Sequence, residues 1–146
     1  MKFIFRLERL LELRARAEDE RKQRLAKAVL AVRAATEAVE RTESAQQDLA
    51  RSWREAVALG LCAADAEDYL LCSAALEREL SARKKSVQQA ETAVAARQAD
   101  LEAANSKRRS LEKFKEKAKR RFTLIEQVVE QKLFDEMALL RAGGRP

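Results

Sequence analysis

Between Met1 and Gly143 only one stretch, Gly60-Leu61-Cys62-Ala63-Ala64-Asp65, interrupts residues that are otherwise compatible with helix. Gly60 can take the left-handed conformation that closes a helix. Asp65, with Asp68 three positions on, reads as an N-cap and its acidic partner at the start of a second helix. Two long helices joined by so short a turn must fold back on each other. The chain is therefore expected to be all-α, two long helices in an antiparallel coiled-coil hairpin with the second overhanging the first. As a single domain it should run as helix over about 3–59, turn over about 60–65, helix over about 66–141 and a frayed tail over 142–146.

A seven-residue repeat carries the same message. In the first helix Ile4, Leu11, Glu18, Leu25, Val32, Val39, Gln46 and Trp53 fall on one heptad position, and the row from Leu7 through Ala28, Ala35 and Leu49 to Ala56 on the other. The second helix repeats the rule with Ser73, Leu80, Val87, Val94, Leu101, Arg108, Lys115, Phe122, Val129 and Glu136. Its companion row starts at Tyr69 and Leu76 and runs through Leu111, Ala118, Ile125 and Lys132 to Leu139. A repeat held in phase this long implies a supercoiled seam rather than the surface helix of a globule. Much of the 47% apolar content is alanine, which favours helix but fills little volume.

Setting Gly60 opposite Tyr69 places Leu49 by Leu80, Ala28 by Leu101, Leu11 by Ala118, Leu7 by Phe122 and Ile4 by Ile125. At about 1.5 Å per residue the helices would be roughly 85 and 110 Å long, which leaves Glu126 to Leu140 without a partner in the chain. One part of the seam is poor. Arg14, Glu18, Arg21, Arg108 and Lys115 occupy core positions where only Glu18 offsets four positive charges, so this segment is expected to splay or to be held open by a partner.

The net charge of +6 is uneven: Lys107 to Arg121 holds nine bases against Glu112 and Glu116, which suits an acidic partner. Cys62 and Cys72 form neither a disulfide framework nor a metal site and read as free thiols. No apolar run approaches a membrane span, and Arg6 cuts off Met1-Lys2-Phe3-Ile4-Phe5 before it could act as a signal core, so the expectation is a cytoplasmic protein with no cleavable signal.

Large apolar residues off the seam gather in two places. Leu10, Leu13, Leu124, Val128, Leu133, Phe134, Met137 and Leu140 lie toward the termini. Val57, Leu59, Leu61, Leu70 and Leu71 lie at the turn, where Trp53 and Tyr69 cap the seam. Such clusters at the ends of a polar shaft suggest two docking sites. Catalysis has little support, since there is no histidine, no Gly-rich phosphate loop, no GxSxG, and no HExxH or CxxC. Glu20 with Arg24 and Glu37 with Arg41 are ordinary helix-surface pairs. No cofactor is expected. A rival from another class is a basic helical arm that binds RNA through Lys107 to Arg121, but aromatics interleave poorly with that run, which holds only Phe114. The preferred reading has no nucleic-acid partner.

Three stretches, in order, resemble the FliJ family of the flagellar type III export apparatus. They are Phe3-Ile4-Phe5-Arg6-Leu7-Glu8-Arg9-Leu10-Leu11-Glu12-Leu13-Arg14, the run Leu111-Glu112-Lys113-Phe114-Lys115-Glu116-Lys117, and Glu130-Gln131-Lys132-Leu133-Phe134-Asp135-Glu136-Met137-Ala138. Phe134 replaces the family's commoner leucine, and Cys72 stands where a bulkier apolar residue is usual. The resemblance implies a non-enzymatic stalk in the cytoplasm, at the inner-membrane face of the flagellar base, bound to the membrane only through partners. It implies that the end bearing the termini enters a hexameric export ATPase ring through Leu7, Leu10, Leu11, Leu13, Lys113, Lys117, Val128, Gln131, Phe134, Asp135 and Met137. The turn end would meet the cytoplasmic domain of the export gate protein through Trp53, Tyr69, Leu70, Cys72 and Leu76, with export chaperones as further partners. The equivalent stalk of a virulence type III secretion system is the nearest alternative.

Overall fold

A computed structural model describes residues 1–144. It contains two helices, α1 (Glu8–Leu59) and the longer α2 (Ala63–Gly143), packed against each other as a hairpin. The expected all-α hairpin with a longer second helix is therefore the observed fold. Pro146 and Arg145, the end of the expected frayed tail, lie outside the described residues.

Only Gly60, Leu61 and Cys62 separate the helices. Gly60 has φ +88°, and its N–H donates to the Val57 carbonyl at 3.2 Å. A Cβ there would meet nothing within 4 Å, so glycine is required by the backbone and not by space. The second helix starts at Ala63, earlier than the expected position near 66, and this changes the role of Asp65. Its carboxylate accepts from the backbone N–H of Cys62 at 3.4 Å and from the Cys62 thiol at 3.1 Å. That is the returning half of a capping box, with Cys62 in the cap position and Asp65 three residues into the helix.

Packing divides the chain into two compact units, Arg21–Leu101 and Met1–Glu20 with the chain from Glu102 onward. In Arg21–Leu101 the rings of Trp53 and Tyr69 stack with centroids 4.4 Å apart and planes 21° from parallel. Tyr69 therefore faces Trp53 and not Gly60, a correction of one heptad to the expected register. The cause is the tightness of the turn: with helices ending at Leu59 and starting at Ala63, positions equidistant from Leu61 face each other. Within this unit the seam residues Leu25, Ala28, Val32, Ala35, Leu80, Val87, Ala90 and Val94 are half-buried, as the repeat requires. Thr42 is buried, and its hydroxyl donates to the Ala38 carbonyl at 3.1 Å, so the polar atom is satisfied inside its own helix.

In the other unit α1 begins at Glu8, five residues later than the expected start near Phe3. Residues 1–7 form a non-helical arm against α2, with Phe3 on Phe122 at 5.5 Å and Phe5 on Phe114 at 6.1 Å between centroids. In a helix Phe3 and Phe5 would point to nearly opposite sides. In an extended chain residues i and i+2 share a side, and both rings then reach α2. The alternation shows in the exposures, 8% for Phe5 but 81% for Ile4. Ile4 thus does not face Ile125, which is 63% exposed, and Phe122 is covered by Phe3 where Leu7 was expected.

The charged part of the seam is closed and not splayed. Glu18, only 3% exposed, accepts from Asn105 Nδ2 at 3.1 Å and from the Arg108 guanidinium. Arg108 also meets Glu112 at 2.6 Å, and Lys115 Nζ meets Glu8 at 2.6 Å. The expectation counted only heptad positions. The long side chains of Arg108 and Lys115 instead reach acids flanking the row, so these two seam cations find counter-charges. Hydrogen bonds from Arg108 to Glu18 and then Glu112 push the arginine above its ordinary pKa, so its charge persists throughout the neutral range.

Candidate functional site

The residues expected at the terminal end are gathered in the unit that contains Met1–Glu20 and the chain from Glu102 onward. Leu7 and Leu10 are each 37% exposed and Leu13 is 53% exposed, whereas Leu11 turns into the seam and is half-buried. On α2, Lys113, Lys117, Leu124 and Gln131 follow one another at helical spacings of four and seven and so share one outward face, with Val128 and Asp135 beside it. All of these are exposed, as are Phe134 at 65% and Met137 at 48%.

The helix that carries them changes character at Phe122. Before it, the seam positions of α2 other than Arg83 and Arg97 are half-buried. After it, the same row continues as Ile125, Val129, Lys132, Glu136 and Leu139, and every member is exposed. The arm marks the boundary, since the Met1 amine lies 3.6 Å from Glu126. Leu133, Leu139 and Leu140 are 54%, 71% and 76% exposed, so the last turns of α2 carry large apolar side chains that no described residue covers.

The basic run divides by face. Arg108 and Lys115 turn inward to Glu18, Glu112 and Glu8, while Lys107, Arg109, Lys113, Lys117, Lys119, Arg120 and Arg121 remain exposed. Beside the apolar turns lies therefore a helix surface in which these seven exposed bases outnumber the exposed Glu112 and Glu116, and this excess attracts acidic groups at long range.

The turn residues lie together in the other unit. Trp53 and Tyr69 are half-buried in their stack, Leu76 is half-buried against the seam beside Thr42, and Leu70 and Cys72 are exposed. Leu59 and Leu71, 88% and 67% exposed, extend the apolar surface at the turn. The polar network around Glu18 and the extended arm were not legible as such. The i, i+2 spacing of Phe3 and Phe5 was the available signal for the arm.

Among the described residues no helix is long and apolar enough to cross a membrane, and no cluster of three or more His, Cys, Asp or Glu side chains could hold a metal. The class of molecule these features define is an all-helical hairpin that carries exposed apolar and basic surface. The family model described as flagellar FliJ protein matches residues 1–146, and the chain belongs to that family. It is accordingly a non-enzymatic component of the flagellar protein export apparatus. No curated protein and no solved structure matches the chain.

Proposed function

We propose that the protein is the stalk that couples a hexameric flagellar export ATPase to the export gate. The exposed apolar residues of α2 after Phe122, next to a segment with an excess of exposed bases, are the observation that carries this reading. Leu10, Leu13, Val128, Phe134 and Met137 would supply apolar grip within the ring, and Lys113 and Lys117 would steer the chain toward acidic ring loops. At the turn, exposed Leu70 and Cys72 beside the Trp53–Tyr69 stack would meet the cytoplasmic domain of the gate. Nucleotide-driven changes in the ring would reach the gate through the paired helices. The protein would work in the cytoplasm at the flagellar base, held at the inner membrane by its partners, and would also engage export chaperones.

The test is capture of a purified flagellar export ATPase by the full-length chain and by a chain ending at Arg121, together with ATPase stimulation by the double variant Phe134→Asp/Met137→Asp. Full-length protein should capture and stimulate, and both variants should lose most of either effect. Undiminished stimulation by the double variant removes the ring assignment.

A further inference from the structure

We infer that the uncovered end of α2 is a self-complementary surface that pairs antiparallel with the same segment of a second copy of this chain. The inference does not depend on the stalk reading, and its test contains no ATPase.

The free seam has definite limits. It begins at Ile125, where the arm stops with Met1 against Glu126, and it ends at Gly143 with the helix. Within it the heptad row is Ile125, Val129, Lys132, Glu136, Leu139 and Gly143. Ile125 and Leu139 are 63% and 71% exposed, and Val129 is 41% exposed. A row of this kind needs a partner helix, and its two charged members say which one.

Lys132 and Glu136 sit at core positions, where an apolar groove would leave both unpaired at a cost. Neither has an ion-pair partner among the described residues. Turned through a two-fold axis near Phe134, the row meets itself without conflict. Lys132 faces Glu136 of the other copy and Glu136 faces its Lys132, Val129 faces Leu139 and Leu139 faces Val129. At each end Ile125 faces Gly143, where an added Cβ would meet nothing within 4 Å, so the large residue has room. Val128 and Leu133 flank the row and widen the apolar contact. The two central ion pairs fix register and orientation, as polar residues at coiled-coil core positions do. A register one heptad away sets Lys132 against Val129 and Glu136 against Ile125, and this penalises the alternatives.

A single helix pair this short is at the small end of specific interfaces, so the association should be weak and concentration-dependent. The pairing surface adjoins the outward face proposed for the ring, which makes the second copy an occupant of this end whenever no ring is present.

The experiment is sedimentation equilibrium of the free full-length chain from about 1 to about 100 µM, with circular dichroism to confirm that each variant remains helical. The wild-type mass should rise from monomer to dimer over this range. Lys132→Glu and Glu136→Lys should each raise the dissociation constant by about tenfold or more, because the two-fold axis turns one reversal into two like-charge contacts. The double reversal in one chain should restore dimerisation, and an equimolar mixture of the two single variants should form a heterodimer. A chain that stays monomeric at the highest concentration overturns the proposal. Weakening by both single reversals without recovery in the double variant or the mixture overturns it equally.

Discussion

Phe5 is the only large apolar side chain among the described residues that is buried, and replacing it by alanine should detach the amino-terminal arm without unfolding the helices. At 8% exposure nearly all of its side chain is removed from water, which corresponds to about 2–3 kcal/mol. Its ring also lies 6.1 Å from Phe114 and 5.9 Å from Lys115 Nζ, but Phe114 is itself 56% exposed, so these contacts add only at the low end of their usual range. A loss of that size shifts the arm between docked and free by roughly 30- to 150-fold. The arm touches α2 through few residues, so the loss should be local. Hydrogen exchange read by mass spectrometry follows it directly, because the Glu8 amide is bonded to the Phe5 carbonyl at 3.2 Å and the Leu11 amide to the Leu7 carbonyl at 2.9 Å. Phe5→Ala should abolish or strongly reduce protection over residues 1–11 and leave Arg21 to Leu101 unchanged. Ile4→Ala, at an 81% exposed position next door, should change nothing. Equal effects of the two substitutions, or unchanged protection in Phe5→Ala, would refute the alternating arm and restore a helix running from Phe3.

Two further outcomes follow from the turn and the register. Gly60→Ala should lower stability in urea by about 1 kcal/mol through backbone strain alone, and Gly60→Asn by less, because asparagine tolerates the left-handed region. With Cys62 and Cys72 changed to serine, cysteines at Ala28 and Val94 should crosslink readily, while cysteines at Ala28 and Leu101 should not. The opposite preference would restore the register with Gly60 facing Tyr69.

Two helices, a turn closed by Gly60 and the identity of the seam rows were all legible in the residue order, because each rests on local rules: propensity, a left-handed stop and a period of seven. So was the end of α2 left without a partner, since the second helix is simply longer. The register was not legible. A seven-residue repeat looks the same after a slip of one heptad, and only the three-residue connection, with Trp53 stacked on Tyr69, chooses between the alternatives. The arm was hidden because Phe3, Ile4 and Phe5 are as acceptable in a helix as in an extended chain, and burial of both aromatic rings on α2 decided the matter. The charges at Arg108 and Lys115 looked like a defect because the acids that answer them, Glu112 and Glu8, lie off the row. Sequence spacing records which side chains share a helix face, but long side chains meet according to where the second helix lies, and that is settled only when the two helices pack.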